Sequence, residues 1–227
     1  MSTLSHMLKA GIFSTTLLLA GTGFAKETSV TANTLADWSF QGTGFKALDT
    51  TNNQILLSEE PGSKGVMLVS PSGYGNNVTL QYKVKPLSPE SVLVAALAVS
   101  NKGTESSMTF PDQYDGNMKY LITEADNYFF AFHNSAHKKT PFVRKYPQAL
   151  PGKDALTSAP ENLMTTEWHD IEVGKLNGKI WLSVNGKQVL SYQDDDMLGK
   201  GHIAFRLRGT KTRIASALIK DVTIIEN

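Results

Sequence analysis

Throughout this chain, apolar residues recur at every second position in short runs. In Asn77–Val84, Val78, Leu80, Tyr82 and Val84 share one side of an extended segment, while Thr79, Gln81 and Lys83 share the other. A period of two puts successive side chains on opposite faces, so such a run is a strand with one face in a core. The same alternation passes through Ile180, Leu182 and Val184, halts at Asn185-Gly186 and resumes at Val189. Asn-Gly tolerates the positive φ that both central residues of a type I′ turn require, so the pair marks a tight hairpin. Ile203, Phe205 and Leu207 form another inward row, with His202, Ala204, Arg206 and Arg208 on the opposite face. The run "SVLVAALAVS", from Ser91 to Ser100, is apolar on both faces; periodicity alone fits a central strand or a buried helix.

With "YFFAFHN" at Tyr128–Asn134, "EWHDIEVGK" at Glu167–Lys175 and "IASALIKDVTII" at Ile214–Ile225, these runs are separated by Gly, Pro, Asn and Asp. There is no internal repeat and no linker. Many short strands so punctuated predict an all-β protein, an antiparallel two-sheet β-sandwich of jelly-roll type, as a single domain over residues 26–227. The chain has no cysteine, so stability comes from the core without disulfides.

Residues 1–25 read as a signal peptide. Lys9 precedes a short apolar run, and Gly23-Phe24-Ala25 supplies a small-x-small site with cleavage expected after Ala25. The apolar run is shorter than the roughly 20 residues a spanning helix needs. The expectation is a periplasmic or secreted protein with no membrane span after signal cleavage. The 22 Lys and Arg against 21 Asp and Glu leave a net charge of +1, without the basic field that nucleic acid demands.

Chemistry-bearing residues concentrate in two neighbouring segments. His133 and Asn134 end one strand, and Arg144, Lys145 and Tyr146 close the basic stretch after it. A histidine can act as general base and a tyrosine as acid or base. Arg or Lys can neutralise a uronate carboxylate, which eases removal of the neighbouring proton. Arg144 and Tyr146 are two apart and point the same way if extended. The candidate catalytic set is therefore His133, Arg144 and Tyr146, with Asn134, Lys145, Trp181 and Arg206 as substrate-binding residues. The competing reading makes His133 a core or groove-wall histidine and "HKKTPFVRK" a solvated loop. Trp181 alternates out of phase with Ile180 and Leu182 and either lines a groove or fills space between sheets. Trp168, at the start of its strand, is expected in the core.

Other chemistries find less support. A glycoside hydrolase needs two facing carboxylates, for which Glu124 and Asp126 are the nearest pair, although their surroundings read as a turn before a strand. Asp194, Asp195 and Asp196 offer the hard oxygens calcium takes, but without EF-hand spacing, and an acidic turn explains them. No zinc spacing, phosphate cradle or nucleophile elbow is present. The expected cofactor set is none, with calcium as the one candidate ion and no assigned metal ligand.

The segment "EWHDIEVGKLNGKIWLSVNGKQVLSYQDDDMLGKGHIAFRLRG", followed by "ASALIKDVTI", resembles the C-terminal half of the concanavalin A-like lectin/glucanase superfamily. The shared run is Trp-x-x-Ile, Val-Asn-Gly, an Asp-rich turn, Gly-x-Ile-x-Phe-Arg and a closing Asp-Val-x-Ile. Upstream, "NYFFAFHNSAHKKTPFVRKYPQALPG" is similar to the YesU-like family of jelly-roll proteins. The resemblance implies the concanavalin A-like fold and a carbohydrate context, with relatives associated with polysaccharide breakdown outside the cytoplasm. The Glu-x-Asp-x-x-Glu strand motif of the superfamily's glucanases is absent. The expected partner is a polysaccharide or oligosaccharide, anionic if the basic segment contacts it. Three classes follow: a carbohydrate-binding module, a polysaccharide lyase or glycoside hydrolase, and a laminin-G-like adhesion module.

Overall fold

The computed structural model describes residues 25–104, 106–147, 157–158, 163 and 166–227. The segment expected to be a signal peptide lies outside them except for Ala25. Among the described residues, no helix is long and apolar enough to cross a membrane.

In chain order the first strands are β1 (Lys26–Val30), β2 (Ser39–Gly42), β3 (Gly44–Asp49), β4 (Gln54–Glu59) and β5 (Val66–Val69). Next come β6 (Val78–Pro86), β7 (Val92–Asn101), β8 (Ala125–Asn134), β9 (Phe142–Tyr146) and β10 (Thr157–Ser158). The last are β11 (His169–Leu176), β12 (Lys179–Val184), β13 (Lys187–Gln193), β14 (His202–Arg208) and β15 (Ser216–Glu226). Short helices α1 (Ala32–Ala36) and α2 (Met118–Thr123) accompany them.

The strands form two antiparallel sheets. One runs β13-β12-β11-β6-β15-β4-β3, with β1 also pairing β15, and the other runs β10-β9-β8-β7-β14-β5-β2. The sequence expectation of an all-β jelly-roll sandwich is the architecture observed. Ser91–Ser100 is the central strand β7, between β8 and β14, rather than a helix.

Alternation decides what the sheets enclose. Val78, Leu80, Tyr82 and Val84 from β6 meet Ile203, Phe205 and Leu207 from β14 in one buried cluster between the sheets. Trp38 stacks on Phe205 with ring centroids 5.6 Å apart, and Tyr82 meets the same ring edge-on at 4.8 Å. A second apolar cluster lies on the outer face of the β7-containing sheet. There Met67, Val94, Ala96, Phe129 and Ala204 are covered by Leu121 of α2. Asn117 starts α2, its side chain accepting from the Lys119 N–H. The helix covers only part of this face, and the rest stays open.

The three aspartates form a turn, but not a wholly solvated one. Asp194 is 8% exposed. Its Oδ2 accepts from the Tyr128 hydroxyl at 2.5 Å and lies 3.2 Å from the Lys145 ammonium. Burial would raise the Asp194 carboxyl, but bonds from Tyr128, the Asp196 N–H and Lys145 hold it below its ordinary value. Lys175, fully buried, donates to the carbonyls of Leu198 and Gly199 and so ties the same loop from inside. Its ammonium is pulled down to about 8 by burial. Trp168 departs from expectation: it is half-buried, with the Lys220 ammonium 4.5 Å over its ring. It stands just before β11, outside the core clusters and against Lys220 of β15.

The Asn185-Gly186 hairpin joins β12 to β13 with φ of 50° and 75°. The Asn185 side chain also accepts from the Asp170 N–H at 2.9 Å, locking the turn against β11. A methyl on Gly186 would meet nothing within 4 Å, so a larger residue costs backbone strain and no clash. Gly186→Val is expected to destabilise the fold by about 1–2 kcal/mol, the cost of a left-handed conformation for a side chain. An unaltered melting temperature would show that the turn does not constrain the sheet.

Candidate functional site

The open part of the outer face beside α2 is a cleft of about 720 Å³. β9 contributes Phe142, Arg144 and Tyr146, β14 contributes Arg206 and Arg208, and β8 contributes Phe129 and Asn134. Met118 and Ile122 of α2 form an apolar wall, while Lys64, His137 and Lys139 stand at the rim. Among the described residues that line it, five are Lys or Arg and none is Asp or Glu.

Their charges are not equally available. Arg208 pairs with Glu59 at 3.0 Å, and Glu59, 1% exposed, also accepts from the N–H groups of Gly209 and Ala215. Lys64 pairs with Asp115 at 2.6 Å. Arg206 is different. It is 5% exposed, and its Nη2 donates to the carbonyls of Lys64 at 3.0 Å and Gly116 at 2.9 Å. Carbonyl oxygens orient a guanidinium without cancelling its charge. Burial, opposed by Tyr114 and assisted by Arg208, lowers Arg206 from its ordinary value. Arg144 stacks over the Phe142 ring at 4.5 Å and donates from Nη1 to the Tyr146 hydroxyl at 3.3 Å. His137 registers the field around it. Desolvation, then Lys139, Arg208 and Arg206, pull its imidazole below the usual range.

Of the residues singled out in the sequence, Arg144, Tyr146, Asn134 and Arg206 come together in this cleft. His133, Lys145 and Trp181 do not. The reason for His133 is a bulge. Val94 pairs with Ala131 but Leu93 pairs with His133, so Phe132 is an extra residue and the alternation of β8 shifts. His133 thereby shares a face with Leu93 of the inter-sheet core, and Asn134, paired with Val92, turns to the cleft. His133 Nδ1 accepts from the Leu163 N–H at 3.0 Å, which places its hydrogen on Nε2, donating to Ser135 Oγ at 2.9 Å.

Lys145 is paired with Tyr128 across the β8–β9 ladder and so points away from Arg144 and Tyr146, toward Asp194 and Asp196. Trp181 lies on the other sheet, facing outward as its phase requires. Neither Glu124 nor Asp126 reaches the cleft. Glu124 is the C-terminal cap of α2, and Asp126 accepts from the Gly103 N–H at 2.9 Å. Among the described residues, no group of three or more His, Cys, Asp or Glu is placed to hold a metal ion. Sequence reasoning missed Lys64, His137, Lys139 and Arg208 as lining residues. For Arg208 the signal was present, since it shares a row with Arg206; for Lys64 there was none.

No family model and no curated protein matches this sequence. Solved structures do match in fold. A Bacillus subtilis protein of unknown function with a galectin-like fold aligns at TM-score 0.73 and 16% identity, covering 88% of this chain and 97% of that one. A carbohydrate-binding module from Bacillus subtilis aligns at TM-score 0.53 and 10% identity, over 86% and 92% of the two chains. A β-1,3-1,4-glucanase from a mouse hindgut metagenome aligns at 0.57 and 15%, over 88% and 98%. At such identities the likeness is one of fold alone, and the shared fold is the two-sheet jelly-roll sandwich.

Burial, with nearby His169 as a second cause, pulls His133 down to about 4 from an ordinary 6.5. The unfolded chain therefore binds more protons between these values, so stability is full above about 6.5 and is lost as pH falls toward 4. His133→Gln should be less stable at neutral pH and show a shallower fall in melting temperature across that window. Parallel profiles for both proteins would remove His133 from that role.

Proposed function

We propose that the protein is exported to the periplasm or beyond and recognises a uronate-containing polysaccharide or oligosaccharide in the cleft beside α2. The carrying observation is the lining itself: among the described residues, five Lys or Arg side chains and no carboxylate, with Arg206 held in position by two carbonyls. Orienting a buried cation in advance avoids the cost of ordering it when a carboxylate arrives. Phe129, Phe142 and Met118 supply apolar surface for the C–H faces of a sugar ring. The fold likeness to a carbohydrate-binding module and a glucanase supports a sugar as the ligand. The YesU-like resemblance agrees with it, since the resembling segment spans β8 and β9, the strands that supply Asn134, Arg144 and Tyr146.

Cleavage by β-elimination is the second reading, favoured by the Arg144–Tyr146 hydrogen bond. It sets a proton-transferring hydroxyl beside a carboxylate-binding guanidinium, with Asn134 in the same cleft. The Tyr146 oxygen would take the proton next to the uronate carboxylate and give its own hydroxyl proton to the leaving oxygen, the C–H electron pair forming the C=C bond as the C–O bond breaks, which leaves an unsaturated sugar. Hydrolysis is less well supported, because no facing pair of carboxylates lines the cleft among the described residues.

Titration with polygalacturonate and with alginate is expected to show binding that weakens as salt is raised. Arg144→Gln should reduce affinity about tenfold or more, the scale of one charge-assisted hydrogen bond. Retained affinity in the variant, or equal affinity for neutral glycans of the same length in this cleft, would overturn the reading. Growth of unsaturated-uronate absorbance that is lost in Tyr146→Phe would establish elimination.

A further inference from the structure

The outer face of the other sheet carries a second arrangement that the cleft does not use. Across its strands the register aligns Thr223, Gln81, Glu172 and Ser183 in one row, and Thr79, Gly174, Trp181 and Ser191 in the next. The first row lies along a trough of about 410 Å³, whose lining also includes Lys83, Asp170 and Asp221. Trp181 sits beside this trough and is joined to it through Glu172.

Trp181 lies flat against the sheet. A Cβ placed on Gly174 would fall 2.2 Å from Trp181 Cζ2 and 2.3 Å from Cη2, so the six-membered ring covers the glycine backbone directly. Glycine at 174 is what permits that posture. The ring is also fixed within its plane, because Nε1 donates to Glu172 Oε1 at 2.6 Å. Gln81 donates to the second oxygen, Oε2, at 2.9 Å. Each Glu172 oxygen keeps acceptor capacity for a further hydroxyl. The outward face of the half-buried indole carries the exposed Lys179 ammonium 5.9 Å from its centroid.

We propose that this face is a second carbohydrate site, selective for a neutral hexopyranose chain, with one sugar ring stacked on Trp181 and its hydroxyls bonded to Glu172, Gln81 and Ser183. A pyranose is recognised by such a pairing of a flat π face, which attracts its C–H edge, with acceptors and donors at the rim. Charge selects the neutral class. Among the described residues, the trough presents Asp170, Glu172 and Asp221 against Lys83, which Asp170 at 3.7 Å and Asp221 at 4.0 Å already approach, and Lys179 stands at the indole, so the acids still outnumber the bases. A uronate entering it would meet like charge. The two sheets therefore offer opposite fields to solvent, one for an anionic glycan and one for a neutral glycan. This proposal stands on the Trp181 face and does not rest on the reading of the cleft.

The test is calorimetric titration of the protein with cellohexaose, mannohexaose and laminarihexaose, with polygalacturonate in parallel. At least one neutral hexasaccharide is expected to bind. Trp181→Ala should weaken that binding about tenfold or more, corresponding to about 1.4 kcal/mol. Ser183→Arg, a half-buried outer-face position that leaves the indole in place, should block the trough to a similar extent. Arg144→Gln should leave neutral binding intact, and Trp181→Ala should leave polygalacturonate binding intact. Silence across the three hexasaccharides, or neutral binding lost in Arg144→Gln and kept in Trp181→Ala and Ser183→Arg, would overturn the proposal. If the neutral site holds while polygalacturonate does not bind, only the reading of the cleft fails.

Discussion

Phe205 of β14 lies between Trp38, stacked on it at 5.6 Å, and Tyr82 of β6, which meets it edge-on at 4.8 Å. Tyr82 belongs to one sheet and Phe205 to the other, so these rings join the two layers directly. Each such side chain buries on the order of 150–250 Å². At about 25 cal/mol per Å², each contributes several kcal/mol of apolar burial. With no cysteine in the chain, contacts of this kind hold the sandwich together. They also orient everything else on the strand. Once Ile203, Phe205 and Leu207 are committed inward, Ala204, Arg206 and Arg208 must face outward, and that puts two arginines in the cleft.

What the outward residues become depends on their partners. Arg208 and Arg206 stand two apart on one strand, yet their surroundings diverge. Arg208 meets Glu59, a buried carboxylate whose remaining capacity is taken by backbone N–H groups, and the pair is close to neutral. Arg206 meets carbonyls from the chain around Lys64 and Gly116 and keeps its charge in a poorly hydrated position. Burying a cation is costly, and an incoming carboxylate would offset part of that cost. The same contrast separates the two sheets. Among the described residues, no acid lines the cleft around Arg206, whereas in the trough beside Trp181 the acids outnumber the bases.

Legibility in the sequence ended where alternation was interrupted. Tyr128, Phe130 and Phe132 share the inward face of β8, but a single bulged residue at the strand's end moved His133 inward and Asn134 outward. Nothing local marks that extra residue, because a bulge is set by what the neighbouring strand requires. Arg144 and Tyr146 were read as sharing a direction and do so, and by the same rule Lys145 had to point the other way. It met Asp194, the one of the three consecutive aspartates that is buried. Trp181 was correctly out of phase with the core, but phase cannot say which sheet a strand joins.

The sequence by itself determined the two-sheet class, the hairpin at Asn185-Gly186 and, for most strands, which residues face inward. Those depend on a period of two and on backbone conformations that few residues tolerate, and both are local properties. Tertiary structure alone decided that Arg206 meets carbonyls and Arg208 a carboxylate. It also decided that α2 walls the cleft, and that Trp181 stands on the sheet opposite Arg144. Those outcomes depend on strand order and on contacts between residues far apart in the chain, which side-chain alternation does not encode.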